Sequence, residues 1–180
     1  MPATHLLLLR GVNVGGKHKL PMKDLATMVA EQGCADVKTY IQSGNVIATV
    51  PPKLAGRLPG LVAQAIQARF GFEVPVVMRS LQELEQVVAR NPFLEAGKPP
   101  EALFVLFLRD LPDPARVSLL DPNRSPGDEF HLRGQDLYLW LKTGAADTKL
   151  TNAYFDSKLA TISTSRNWRT VTTLLTMMKS

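Results

Sequence analysis

The chain has 180 residues, 45% of them hydrophobic and 21% charged, with a formal net charge of +5; that length buries a core as one domain or two small ones. No run approaches the roughly 18 apolar residues of a membrane span, and the short run at residues 6–9 lacks the basic flank of a signal peptide. The one cysteine, Cys34, excludes an intramolecular disulfide and fits a reducing compartment, so a cytoplasmic location is expected.

Charge is unevenly spread. Residues 1–100 carry 11 basic against 7 acidic side chains, residues 101–150 carry 6 against 8, and residues 151–180 carry 4 against 1. Basic ends around an acidic middle describe either an anion-binding face or a solvated surface.

His5 to Leu9 is an apolar run that predicts a strand buried on both faces. It ends at Arg10 and passes into Gly11-Val12-Asn13-Val14-Gly15-Gly16-Lys17. Pro21 predicts a helix start and Gly33 its stop, with Met22, Leu25, Met28 and Val29 at helical spacing between them. Val37–Gln42 and Val46–Val50 around Ser43-Gly44-Asn45 predict a hairpin. Its turn is expected toward the start of the first strand, leaving Tyr40 at the end that faces the glycine loop. A helix over Pro59–Phe70 with Gly71 as its cap and a strand over Val74–Met78 follow, with Pro75 arguing for a sheet edge. Strand–helix–strand–strand–helix–strand is the ferredoxin-like order.

Ser80-Leu81-Gln82-Glu83 is a capping box that opens a short helix, and Asn91-Pro92 ends it. Residues 95–100 read as a connector. The second half predicts a buried strand over Leu103–Leu108, a short helix over Pro114–Leu120, and a hairpin of Glu129–Arg133 with Leu137–Lys142. Helices are predicted over Leu150–Leu159 and near the C-terminus, where Val171, Leu174, Leu175 and Met178 share a face and Ser165 or Asn167 is a possible cap. No clear last strand is read before that final helix. The expected class is α+β, with a ferredoxin-like βαββαβ first half over residues 1–80, a helix and connector over 81–100, and a second, smaller α+β half over 101–180.

Three segments carry chemistry. Gly11 to Lys17 spells the opening of a phosphate-binding P-loop, but His18 stands where magnesium needs Ser or Thr, and Pro21 starts the helix too late. A milder anion-receptive loop, with Arg10 and Lys17 beside exposed glycine N–H groups, and a structural turn needing positive φ both remain open. Tyr40, Gln42, Ser43 and Asn45 form the second segment, with Ser43 and Asn45 also suited to bonding their own backbone. Ser163 to Thr170 is the third, dense in hydroxyls with Arg166, Asn167 and Arg169; Trp168 reads as a core anchor and Arg166 as a ligand-binding cation. His5, His18 and His131 have no metal-ligand spacing, and no nucleophile elbow is present.

These motifs together resemble a bacterial family known as domain of unknown function 1697 (DUF1697). The resemblance rests on Leu-Leu-Arg-Gly-Val-Asn-Val-Gly-Gly at 8–16, Thr-Tyr-Ile-Gln-Ser-Gly-Asn-Val at 39–46 and Ser-Arg-Asn-Trp-Arg-Thr-Val at 165–171. Asn91-Pro92-Phe93 and Thr148-Lys149-Leu150 extend it. It implies a two-part α+β protein, and it implies no activity and no cofactor. Two places depart from the family pattern: Asp147-Thr148 replaces a more usual Arg-Ser, and Ala160 stands where glycine is common.

The leading expectation is a site for a small anionic or phosphate-bearing ligand, built from Arg10, Asn13, Gly15, Gly16, Lys17, Tyr40, Ser43, Asn45, Lys149, Arg166, Asn167 and Thr170. The alternatives are an enzyme acting on an anionic metabolite between the halves, with Tyr40, Lys17 or Lys149 moving protons, or structural motifs with function in a protein partner. Nucleic-acid binding on the sheet face is disfavoured, because strand one is all leucine and strand three offers Val46-Ile47-Ala48 instead of stacking aromatics. Neither a metal nor an oligomeric state follows from the sequence.

Overall fold

Four apolar side chains in a row, Leu6 to Leu9, are fully buried, which requires a strand covered on both faces. This strand, β1 (Ala3–Leu9), is central in the first of two sheets. A computed structural model describes residues 1–180. They divide into two compact units, Met1–Glu85 with Leu174–Ser180, and Gln86–Thr173.

In the first unit β1 is followed by α1 (Met22–Glu31), β2 (Ala35–Tyr40), β3 (Asn45–Val50), α2 (Pro52–Ala55), α3 (Leu58–Phe70) and β4 (Val76–Ser80). The antiparallel sheet has the order β2-β3-β1-β4. Leu7 and Leu9 of β1 and Val46, Ala48 and Val50 of β3 pack with Leu25, Met28 and Val29 of α1 and Leu58, Val62 and Ile66 of α3. Each buried Leu, Val, Ile or Met among them stabilises by about 1.5–3 kcal/mol before the cost of ordering the chain. Helix α1 starts one residue after Pro21, and α3 ends on Gly71 in the left-handed region, whose N–H donates to the Gln67 carbonyl.

Pro75 lies just before β4, and β4 pairs only with β1, at the sheet edge. The expected direction of the β2–β3 turn is corrected: β1 and β3 are antiparallel with Leu8 opposite Asn45, so the turn lies at the end of β1, beside the glycine loop. The β2–β3 connection is also longer than Ser-Gly-Asn, spanning residues 41–44.

The second unit takes in the end of α4 (Leu81–Ala89), from Gln86 onward, then α5 (Pro92–Glu95), β5 (Leu103–Leu108), α6 (Pro114–Val117), β6 (Glu129–Arg133), β7 (Asp136–Trp140), α7 (Asn152–Leu159), β8 (Ser163–Asn167) and the start of α8 (Trp168–Lys179). The Ser80–Glu83 capping box is present: Ser80 N–H donates to Glu83 Oε2 at 2.7 Å and Glu83 N–H to Ser80 Oγ at 3.2 Å. Asn91 caps α5 by accepting from Phe93 N–H. The sheet order is β6-β7-β5-β8, all antiparallel. Leu106, Leu108, Leu137 and Leu139 pack with Tyr154, Phe155 and Leu159 of α7.

Here the structure corrects the reading of the C-terminal segment. Ser163–Asn167 is a strand paired with β5 along its length, and the helix begins only at Trp168. Its residues are polar, so no apolar period marks it; pairing with β5 supplies the order that hydrophobicity does not. The fold is α+β, two four-stranded antiparallel sheets with interleaved helices. No helix is long and apolar enough to cross a membrane.

Candidate functional site

The expected site residues fall in both units. Arg10, Asn13, Gly15, Gly16, Lys17, Tyr40, Ser43 and Asn45 belong to the first, and Lys149, Arg166, Asn167 and Thr170 to the second.

In the first unit the glycine loop folds on itself. Gly11, Asn13, Gly15, Gly16 and His18 all have positive φ, and the chain reverses at Gly15-Gly16, where Lys17 N–H donates to the Val14 carbonyl. Asn13 is the clamp. Its Oδ1 accepts from Leu20 N–H at 2.8 Å, and its Nδ2 donates to the carbonyls of Leu20 at 2.9 Å and Gln42 at 2.7 Å. The loop is thereby tied to the β2–β3 turn. The buried Asn45 amide donates to the Tyr40 carbonyl and to Ser43 Oγ, and Leu9 N–H donates to the Gly44 carbonyl. Asn13 and Asn45 thus hold backbone in place, while Gly15, Gly16 and Lys17 stay exposed. The His18 ring stacks on Phe72 with centroids 4.5 Å apart, a contact that no sequence spacing announces.

In the second unit Arg166 is buried on β8, and its Nη1 donates to Thr164 Oγ1 and to the Ser165 carbonyl, both at 2.8 Å. Burial pushes its pKa down to about 10. Asn167 Oδ1 accepts from Thr170 N–H at 2.8 Å and so caps α8. Trp168 and Thr170 are buried. Lys149 is exposed.

A concave feature joins two of the short patterns in this unit. A cavity of about 200 Å³ has Phe104, Leu139 and Leu141 on its apolar side, with Thr148, Thr151, Asn152 and Ser165 among its polar lining. Thr151 caps α7 by accepting from Tyr154 N–H at 3.2 Å, so the cavity lies against that helix's N-terminal end. The loop that forms one wall, through Ala145 and Thr148, is fastened by a residue the sequence did not single out. Asp128, buried, accepts from Ser125 Oγ at 2.8 Å, Thr143 N–H at 3.0 Å and Thr143 Oγ1 at 2.7 Å. Burial alone would raise its pKa, but these bonds and one from Thr148 outweigh that, holding the carboxyl below its usual range. Ser125 Oγ also accepts from Lys149 N–H at 3.1 Å. The Asp128–Thr143 pair was illegible in sequence because a hydroxyl 15 residues from an acid has no periodicity. No group of three or more His, Cys, Asp and Glu side chains is placed to hold a metal ion.

No curated protein matches the chain. Among solved structures, the conserved bacterial protein SP0830 from Streptococcus pneumoniae is similar over 100% of both chains, with a TM-score of 0.76 and 21% identity, which is a likeness of fold. A family model described as protein of unknown function (DUF1697) matches residues 3–138. That span runs from β1 into β7, including the whole glycine loop and the Tyr40–Asn45 turn, and the chain belongs to this family.

Proposed function

We propose that the protein binds a small ligand carrying an anionic or phosphate group, in the cavity of the second unit. The observation that supports this most is the combination of an apolar wall and convergent polar groups in one concavity, the usual make-up of a small-molecule site. The apolar body of the ligand rests on Phe104, Leu139 and Leu141. Its charged end points toward Thr148, Thr151 and Asn152, where the first N–H groups of α7 and the helix dipole favour negative charge. Lys149, exposed between two lining residues, supplies a cation. Arg166 acts indirectly in this reading, since its guanidinium is engaged by Thr164 and Ser165 and holds the strand that carries Ser165.

A second reading places the anion on the Gly15–Gly16 tip beside Lys17. The exposed, unobstructed backbone there favours it.

Thermal-shift titration with inorganic phosphate, pyrophosphate, nucleoside monophosphates and small carboxylates tests both. The expected result is a rise in melting temperature with at least one of them, lost in Ser165→Leu, which fills the cavity, and weakened in Lys149→Ala. Binding that survives Ser165→Leu and disappears in Lys17→Ala moves the site to the glycine loop. No shift with any compound at millimolar concentration overturns anion binding at either place.

A further inference from the structure

The first unit has a cavity of its own. It measures about 250 Å³ and lies on the sheet face opposite α1 and α3, against the last turn of α8. Thr4, Asp36, Lys38, Ile47, Thr49 and Met178 are among the residues lining it. None belongs to the motifs discussed above.

Its charged groups are set by the backbone of β2. Pairing with β3 skips between Ala35 and Lys38, and Asp36 sits within that irregularity at φ 50°. Thr49 Oγ1 donates to Asp36 Oδ2 at 3.0 Å. The other carboxylate oxygen has no protein donor, and Lys38, two residues on, forms neither an ion pair nor a side-chain hydrogen bond. One acid and one base therefore line the same concavity without pairing with each other. Ile47 and Met178, both buried, give it an apolar floor, and Thr4, opposite Thr49 in the register, adds a hydroxyl. The C-terminal end of α8, which also lines it, carries the partial negative charge of the helix dipole.

From this juxtaposition we propose that the cavity binds a small zwitterion of the free amino acid type. The ligand ammonium goes to Asp36 and the end of α8, its carboxylate to Lys38 and the Thr4 hydroxyl, and its side chain onto Ile47 and Met178. A lone anion on Lys38 would meet the charge of Asp36, and a lone cation on Asp36 that of Lys38. Only a ligand with both charges is favoured at both ends.

The test is a titration of the full ¹⁵N-labelled chain with leucine, glutamine and glycine, and with N-acetyl-leucine and leucinamide, which each lack one of the two charges. Saturable shifts of the Asp36, Lys38, Thr49 and Met178 amides with a free amino acid are expected. The two blocked compounds, and leucine with Asp36→Asn or Lys38→Met, are expected to bind about tenfold more weakly, the loss of one charge-assisted contact. No saturable shift with any of the three amino acids, equal binding of the blocked forms, or shifts confined to residues 141–165 overturns the assignment. The anion titration above uses different ligands and a different unit, so either can fail alone.

Discussion

At Gly44 a single hydrogen atom matters. A Cβ there would lie 2.6 Å from Leu9 Cβ and 2.9 Å from Val12 Cγ2, and the residue has φ +86°. Gly15, at φ +58°, has nothing within 4 Å of the same position. Gly15→Ala is therefore expected to cost only the left-handed strain, about 1–2 kcal/mol. Gly44→Ala adds overpacking against β1, for a total of about 3 kcal/mol or more; urea denaturation of the two variants gives the comparison. Asp128 carries a pH signature. Its folded pKa is depressed, so its contribution is fully present above the unfolded value of about 4 and is lost as pH falls through the folded value. Asp128→Asn is expected to cost about 2 kcal/mol at neutral pH, because Thr143 and Ser125 lose a charged acceptor. The variant should also lose less stability than the parent between about pH 5 and pH 3, measured by urea denaturation at each pH.

Among the elements, helix ends were the most legible. Ser80 with Glu83, Gly71 after Phe70 and Asn167 before Trp168 all act as caps, because a cap is decided within four residues. The departure from the family pattern at Ala160 has a structural meaning of the same kind. Ala160 closes α7 in the left-handed region at φ 52°, a conformation in which glycine carries no Cβ penalty. Ala160→Gly is expected to raise stability by about 1 kcal/mol, read as an increased urea midpoint with an unchanged slope. Strand β8 was illegible for the opposite reason. Ser-Thr-Ser-Arg-Asn has no apolar alternation, and its extended form depends on β5, whose Phe104 to Leu108 lie far away in sequence. The hairpin turn expected at Ser43-Gly44-Asn45 spans 41–44 and lies at the opposite end of β1 from the one expected, since direction follows from which strands pair, and pairing is not local.

For the molecule as a whole, one buried hydroxyl is expected to contribute to the response to alkali. Tyr138 is buried, and its hydroxyl donates to the Val87 carbonyl at 2.7 Å. Burial first, and then the charge of Asp136, raises its pKa well above that of a free tyrosine. Its contribution is complete below the unfolded value of about 10 and declines as pH rises toward the folded value. Tyr138→Phe is expected to cost about 1 kcal/mol near neutrality and to flatten the loss of stability between about pH 9 and pH 11, followed by chemical denaturation across that range. The α+β class, the family and most elements were determined by the sequence itself, through apolar period, turn residues and caps that act over a few positions. Tertiary structure alone decided which polar residues are free to meet a ligand. Asn13, Asn45, Arg166 and Asn167 all looked like ligand contacts, yet each has a hydrogen-bond partner within the protein. Asp36 and Lys38 look ordinary in sequence, yet they line a cavity together with the end of α8, and Asp128 fastens the loop that walls another. Asn45, Arg166 and Asn167 find partners within five residues once turn, strand and cap have formed, whereas Asn13 reaches the Gln42 carbonyl 29 residues away, a partner that no local pattern encodes.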